Sequence, residues 1–366
     1  MTSDLMKAGC PGSPDARGQG CRPFLLVSDG LDPYRNLAVE HLLTKKAPAG
    51  TVLLYLWRND RSVIIGRNQN LRKECDLAAM QRDGIRAVRR FSGGGAVYHD
   101  PGNLNFSFIA AEPLYNVARQ MSVVCAALNA LGIRAEVSGR NDLETVLPDG
   151  SRRKISGNAF YQEGSRHCHH GTLLLSLAME DLSRYLTPGS AKLAGKGVAS
   201  VRSRVVNLQE LSPQLSLEAL ESALTAAFCE EYGAVGAEIP FYPEENAIRE
   251  FAAYLASQEW LYGKEPPAAA TSREVRFAWG SASLEIAMSR GICRKVWLYT
   301  DALDLSIAPV VSTSLTRLVS GKPFTAETLL SVLKGHFPGH SELSVHPKVP
   351  AEDLSILWED IIHEFF

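Results

Sequence analysis

No Cys-x-x-Cys pair occurs in this chain, whose seven cysteines, Cys10, Cys21, Cys75, Cys125, Cys168, Cys229 and Cys293, form an odd and scattered set. That spacing excludes a zinc ribbon and a secreted disulfide framework, and fits reduced thiols in the cytoplasm. Long apolar runs are missing too: the best, residues 51–57, is of strand length, far short of the roughly 18 residues a membrane-spanning helix needs. A soluble protein with no membrane partner is expected. A surplus of positive charge is also lacking, since the formal net charge is -2, so no nucleic-acid partner is expected and any basic patch must be local. The first 22 residues have neither the basic start and apolar centre of a secretory signal nor the arginines of a transit peptide. They read as a disordered extension. Finally, there is no GxxxxGK[ST] and no spaced GxGxxG, which excludes the common nucleotide loops. There is no internal repeat.

What the chain does have is RRFSGGGAVYHDPGNLNFSF at residues 89–108. Three consecutive glycines remove every Cβ from one side of a turn, so that backbone N–H groups can approach a phosphate. Arg89 and Arg90 precede it as planar, permanently charged forks, and residues 104–108 alternate in polarity, so the turn leads back into a strand rather than into the helix of a dinucleotide site. A tight empty hairpin explains the glycines equally well; the flanking Arg, Ser, His and Asp favour an anion site.

The 366 residues, 45% hydrophobic and 21% charged, suffice for two domains. Short strands are expected at residues 23–27, 52–57 and 63–65, with helical composition at 35–43 and 76–82 between them, a mixed α/β pattern. Val117, Met121, Val124, Leu128 and Leu131 recur at three- and four-residue steps and mark an amphipathic helix. A buried strand is expected over 172–177 and a helix over 216–232. The Pro- and Ala-rich stretch 264–271 reads as a linker. Beyond it, strands at 275–279, 283–288 and 293–299 and helices at 325–337 and 351–366 make a small α+β unit.

Three further clusters carry chemistry. In RRKISGNA, Lys154 opens a strand-like segment followed by small residues, as a charged group over a close-packed ligand would require; a solvated lysine on a basic turn is the plainer alternative. Asn141 and Asp142 offer the amide and carboxylate oxygens that Mg²⁺ takes when it shares phosphates, or an Asx turn. His167, His169 and His170 have no accompanying ligand set for zinc and favour hydrogen bonding to a ligand. Cys168 among them reads as a buried small apolar residue, with a nucleophilic thiol as the minority alternative. Residues 192–208, KLAGKGVASVRSRVVNL, look like a mobile basic loop able to close over an anionic intermediate.

Assembled in order, these pieces resemble the lipoate-protein ligase A family, in its long bacterial form, across nearly everything after Pro23. The resemblance rests on RRFSGGGAVYHDPGN at 89–103, GRNDL at 139–143, KISGNA at 154–159, HHGTLLL at 169–175 and KGVASVRSRVVNL at 196–208. It departs from the family at Phe91, where a small or basic residue is common. The resemblance implies an α/β (α+β) fold: a biotin/lipoate ligase-like catalytic domain over 23–263 with mixed sheets and flanking helices, then the linker, then an accessory domain over 272–366.

The family implies that ATP activates lipoate as lipoyl-AMP, releasing pyrophosphate, and that the acyl group passes to a lysine of an acceptor. Acceptors would be the lipoyl domains of 2-oxoacid dehydrogenase E2 subunits and the glycine cleavage H protein. ATP and Mg²⁺ are implied, with no tightly bound prosthetic group. Carried over by motif, Lys154 would be catalytic, and Arg90, Gly95, Ala96, Val97, Tyr98, Asn141 and Asp142 would hold ATP, with Mg²⁺ near Asp142. Lys154, Arg90, Ser92, His99 and His170 would meet lipoate, and Lys196, Gly197, Val198, Ser200 and Arg202 would form the adenylate loop. Two alternatives remain: an ATP-independent octanoyl or lipoyl transferase of the same fold, and an acyl-binding protein without catalysis. The basic loop and accessory domain favour the ligase over the first, and Lys154 over the second.

Overall fold

The computed structural model describes residues 21–139, 141–187, 205–263, 269–336 and 345–366. Most of the expected N-terminal extension, all five adenylate-loop candidates and most of the expected linker lie outside these residues. Among the described residues no helix is long and apolar enough to cross a membrane.

The chain opens with β1 (Arg22–Val27), α1 (Pro33–Lys46), β2 (Thr51–Trp57), β3 (Ser62–Ile65), α2 (Leu71–Glu74), α3 (Leu77–Arg82) and β4 (Arg86–Arg89). Then come β5 (Val97–His99), β6 (Asn103–Ala111), α4 (Val117–Ala130), β7 (Glu136–Ser138), β8 (Asp142–Val146), β9 (Arg152–Glu163) and β10 (Arg166–Leu174). Helices follow at α5 (Met179–Tyr185), α6 (Leu208–Leu211), α7 (Leu217–Tyr232), α8 (Glu245–Leu255) and α9 (Gln258–Tyr262). The last part holds β11 (Ala269–Thr271), β12 (Val275–Arg276), β13 (Ser281–Ser289), β14 (Ile292–Thr300), α10 (Ile307–Val319), α11 (Ala326–His336) and α12 (Ala351–Phe365).

Seven strands form one sheet in the order β1-β2-β6-β10-β9-β8-β7, parallel at β1/β2 and antiparallel elsewhere. A second sheet, β4-β3-β5, carries the glycine turn between β4 and β5. β2 shows why the large sheet is covered on both faces. All seven of its residues are buried, and since successive side chains point to opposite faces, Val52, Leu54 and Leu56 join a cluster with α4 and α7. Leu53, Tyr55 and Trp57 join another with α1 and α8.

Local signals place the helices. Asp32 caps α1 by accepting from the N–H groups of Tyr34 and Arg35, with Pro33 in the first turn and Lys45 and Lys46 in the last. Ser216 caps α7 through the Ala219 N–H. β10 begins at Arg166, six residues before the strand expected there, and Ala269–Thr271, expected as the end of the linker, instead pair with β13 as β11.

The residues after 269 have their own sheet and their own apolar cluster. β13 and β14 turn on two residues, Arg290 and Gly291, both with positive φ, the backbone a type I′ hairpin demands. α10 had no counterpart in the sequence reading, because IAPVVSTSLTRLV is rich in β-branched residues; its buried Ile307, Val311, Leu315 and Val319 nevertheless keep a four-residue step. This part seats against the preceding sheets: Thr300 N–H donates to the Asn68 carbonyl at 3.0 Å, and Lys73 Nζ to Ser283 Oγ at 3.1 Å.

Candidate active site

A cavity of about 200 Å³ opens between the glycine turn and the face of the large sheet that α1 covers. Register brings its residues into line. Trp57 on β2 pairs with Asn105 on β6, which pairs with Thr172 on β10. Gly171 pairs with Asn158 on β9, so Thr172 comes alongside Gly157, and Gly157 pairs with Asp142 on β8. The cavity floor is therefore a row running across four strands, with Asp142 on β8 next in line.

Lys154 reaches this row through an irregularity. Leu143 faces Ser156 and Glu144 faces Lys154, so Ile155 is an extra residue in β9. Ile155 drops into the core on the far face, and the bulge returns Lys154 to the cavity face, the side it shares with Gly157. Without that extra residue the alternation of a strand would aim Lys154 away. Its Nζ lies 2.7 Å from Asp142 Oδ1 and 2.9 Å from the point that a Cβ on Gly157 would occupy. Gly157 is thus the space through which the lysine reaches.

The glycine turn divides its tasks. A Cβ on Gly93 would stand 2.3 Å from the Ala302 carbonyl oxygen, and Gly94, with φ +87°, has Leu303 and Arg90 beside it. Gly93 admits the C-terminal part of the chain, while Gly94 stands beside Leu303 and also lines the cavity. Gly95 has nothing within 4 Å and lines the cavity with Ala96 and Val97.

Neither arginine is a free fork. Arg90 donates to the carbonyls of Ile64, Gly93 and Gly95 and to Ser92 Oγ. Arg89 donates to the carbonyls of Gly66, Arg67, Gln69, Trp260 and Leu261. Burial pulls both guanidinium groups down to about 10, which leaves them charged at neutral pH. Arg90 therefore braces the turn and also lines the cavity.

Two other expected contacts do not line the cavity. Tyr98 alternates away from the cavity between Val97 and His99, and its hydroxyl is engaged by Arg61 and Asp181. Ser92 is fully buried behind the wall, with its Oγ 2.7 Å from His170 Nε2. His99, His170, Asn141 and Lys154 do line the cavity. Leu37, Trp57, Ile64, Asn105, Asn158 and Thr172 line it as well and were not singled out, because in the sequence they read as ordinary core and strand residues.

The histidines separate as strand alternation requires. His167 faces Glu112, His169 sits between Gln120 and Asn158, and His170 lies between Ser92 and Glu40, whose Oε1 is 2.8 Å from its Nδ1. They do not converge on a metal. Glu40, Cys168 and His170 do come within ligand range of one another, but the ring nitrogens of His170 are both taken by hydrogen bonds. Burial would raise the Glu40 carboxyl, and His170, Ser107 and Cys168 outweigh it to hold the group below its usual value. Burial pushes the Cys168 thiol well up, which removes it as a nucleophile.

Burial also lowers His41 to about 4 and His99 and His169 to about 3. The unfolded chain, whose histidines titrate near 6.5, binds their protons first, so the stability they contribute is full above pH 6.5 and is lost as pH falls toward their folded values. Urea unfolding at pH 5 compared with pH 7.5 should show a loss of up to roughly 2 kcal/mol per histidine. Equal stability at the two values would contradict the neutral buried rings.

Residues 32–229 match the family model of the lipoyl protein ligase A/B catalytic domain. The Plasmodium falciparum LipL1 structure in complex with lipoate is 28% identical, with 92% of this chain and 99% of that one covered at a TM-score of 0.69. A bipartite lipoate protein ligase from Thermoplasma acidophilum, solved with its E2 lipoyl domain, is 29% identical over 69% of this chain and 99% of that one, at 0.58. A lipoate-protein ligase A bound with ATP is 27% identical over 67% and 99%, at 0.54. With its bulge-mounted lysine, its glycine turn and a family match from α1 into α7, the chain belongs to the lipoyl protein ligase A/B catalytic domain family.

Proposed function

We propose that this protein is an ATP-dependent lipoate-protein ligase, which joins lipoate to AMP with release of pyrophosphate and then passes the lipoyl group to an acceptor lysine. The observation that carries this reading is the position of Lys154 Nζ, held over Gly157 at the junction of the acyl cavity and the open part of the glycine turn. A carboxylate and a triphosphate repel each other, and a cation between them offsets the charge that develops as the carboxylate oxygen attacks the α-phosphorus. Gly95, Ala96 and Val97 present backbone to the nucleotide, and Arg90 holds that backbone in shape. The carboxylate needs no added base, since it is ionised already. In the second step the acceptor lysine attacks the acyl carbon and AMP leaves.

Mg²⁺ would accompany the nucleotide and screen its phosphates. Asp142 is the carboxylate at hand, while the Asn141 amide donates to the Asn158 carbonyl at 2.8 Å. One carboxylate fits a cation held chiefly by phosphates and water. Asp142 also holds Lys154 in place until substrate takes over its charge. Lys196, Gly197, Val198, Ser200 and Arg202 would close over the adenylate. Acceptors would be E2 lipoyl domains and the glycine cleavage H protein, modified in the cytoplasm; the Thermoplasma relative solved with its E2 lipoyl domain supports that class of partner.

Lipoate-dependent exchange of pyrophosphate into ATP tests the first step, and mass analysis of a lipoyl domain after incubation tests the second. Both should be positive. Lipoylation or octanoylation from a preformed acyl carrier, with no exchange, would replace this reading with the ATP-independent transferase.

A further inference from the structure

A second and larger cavity, about 630 Å³, lies where the last part of the chain meets the preceding sheets. One wall comes from residues 67–69 with α8 and α9, the other from β14 and α10. It shares no lining residue with the acyl cavity. Its volume falls within the roughly 300–1,000 Å³ usual for small-molecule sites.

The walls carry charge of one sign. Arg67, Lys295 and Arg317 line the cleft and are exposed. Arg89 is there too, with its guanidinium donating to backbone carbonyls. Among the described lining residues the one carboxylate is Glu259. In a chain whose formal net charge is -2, this is a local basic patch, and a concave patch of one sign focuses its field into the cleft.

The way these cations are held matters as much as their number. The Arg67 guanidinium carbon stands 4.1 Å from the centroid of the Trp260 ring, and Lys295 Nζ stands 4.8 Å from that of Trp297. A ring face positions a cation without neutralising it. Among the described residues no carboxylate pairs with Arg67, Lys295 or Arg317. The wall also holds an unused donor: Gln69, 2% exposed, accepts the Gly66 N–H on Oε1 at 2.9 Å, which fixes its amide, and its Nε2 has no partner among the described residues.

We propose that this cleft binds a small molecule bearing two or more phosphate groups, with Arg67 on one wall and Lys295 and Arg317 on the other meeting its oxygens. An arginine fork matches two phosphate oxygens at once, and a lysine serves as a point charge. Three cations suit a diphosphate or triphosphate better than a single carboxylate. Free polyphosphate and the phosphates of a nucleotide share this chemistry, and Tyr254, 41% exposed on the same wall, offers a ring face that only a nucleotide would use. The site goes beyond the ligase reading and does not rest on it. Its occupant would nonetheless press on a segment that backs the glycine turn, since the Arg67 N–H donates to the Ser92 carbonyl at 2.9 Å and Gly66 packs against Gly94.

The test titrates the full chain calorimetrically at 0.15 M salt with two probes of equal phosphate count, inorganic pyrophosphate and ADP. Arg67→Gln, Lys295→Gln and Arg317→Gln should each weaken pyrophosphate binding about tenfold, the loss of one charge-assisted contact. Urea midpoints should stay at the wild-type value for the Lys295 and Arg317 variants, whose side chains are exposed. ADP bound more tightly than pyrophosphate, with the gain lost in Tyr254→Ala, would support the proposal with a nucleotide as occupant; equal binding of the two, weakened by the same variants, would support it with free polyphosphate. Pyrophosphate binding that none of the three cation variants weakens would place the anion elsewhere and overturn the proposal, as would no binding at all. Exchange of pyrophosphate into ATP is read separately, and its absence would remove the ligase reading while leaving this site to stand or fall on the titrations.

Discussion

Lys154→Met is expected to lower lipoate-dependent pyrophosphate exchange by about a thousandfold while leaving the fold intact. Removing one preorganised donor from a site of charge development costs about a hundred- to a thousandfold, and a full positive charge belongs at the upper end. Structure should survive because the lysine's ionic partner among the described residues, Asp142, is about a third exposed and is resolvated by water when Nζ goes. A second variant separates position from charge. In Gly157→Ala the new Cβ would lie 2.9 Å from Nζ and 3.1 Å from Cε, so the side chain must swing aside with its charge retained. A displacement of about 1 Å costs on the order of a hundredfold, so this variant should fall between wild type and Lys154→Met. Exchange by Gly157→Ala at the wild-type rate would mean that the lysine acts as a diffuse field; normal exchange by Lys154→Met would end its assignment.

The KISGNA segment suggested a charge over a close-packed ligand, but simple strand alternation sends Lys154 to the face of Ser156 and Asn158. Only the bulge at Ile155 reverses this, and a bulge is a property of pairing with β8 that the segment does not contain alone. The same limit explains Tyr98 and Ser92. GGGAVYH identified the stretch, while which of Val97, Tyr98 and His99 faces the cavity depends on where β5 begins its pairing with β3. Strands such as 52–57 were plain from their apolar runs, and for the same reason Trp57 passed as core although it lines the cavity.

The glycine turn shows a different limit. Contiguous glycines announce a close approach of backbone, but not to what. Here Gly93 and Gly94 accommodate Ala302 and Leu303, far along the chain, while Gly94 and Gly95 line the cavity. A turn that lines the cavity with one end and contacts the C-terminal part with the other ties the two together, and Arg90 stiffens it through three carbonyls.

The second large effect concerns Glu40, which lies on the inner face of α1 at helical spacing from Leu37 and Thr44 and is fully buried. A carboxylate at such a position in an apolar stripe is itself a signal, because it must find a partner. It finds His170 Nδ1 at 2.8 Å and Ser107 Oγ at 2.6 Å, and among the described residues Oε2 has no hydrogen-bond partner. His170→Leu strips away the larger of these partners and is expected to destabilise the protein by about 3–5 kcal/mol, the cost of an uncompensated buried charge. Glu40→Met added to it should restore most of that loss, because replacing both members of a buried pair with apolar groups is often close to neutral. The double variant should therefore be more stable than His170→Leu alone, a sign that no sum of two independent losses can give. Urea titration of the four proteins at pH 7.5 measures it, and additive losses would show that Glu40 holds its charge by means other than His170. Activity must be read separately: even where stability returns, His170 no longer lines the cavity, so the double variant should still bind lipoate less well than the wild type.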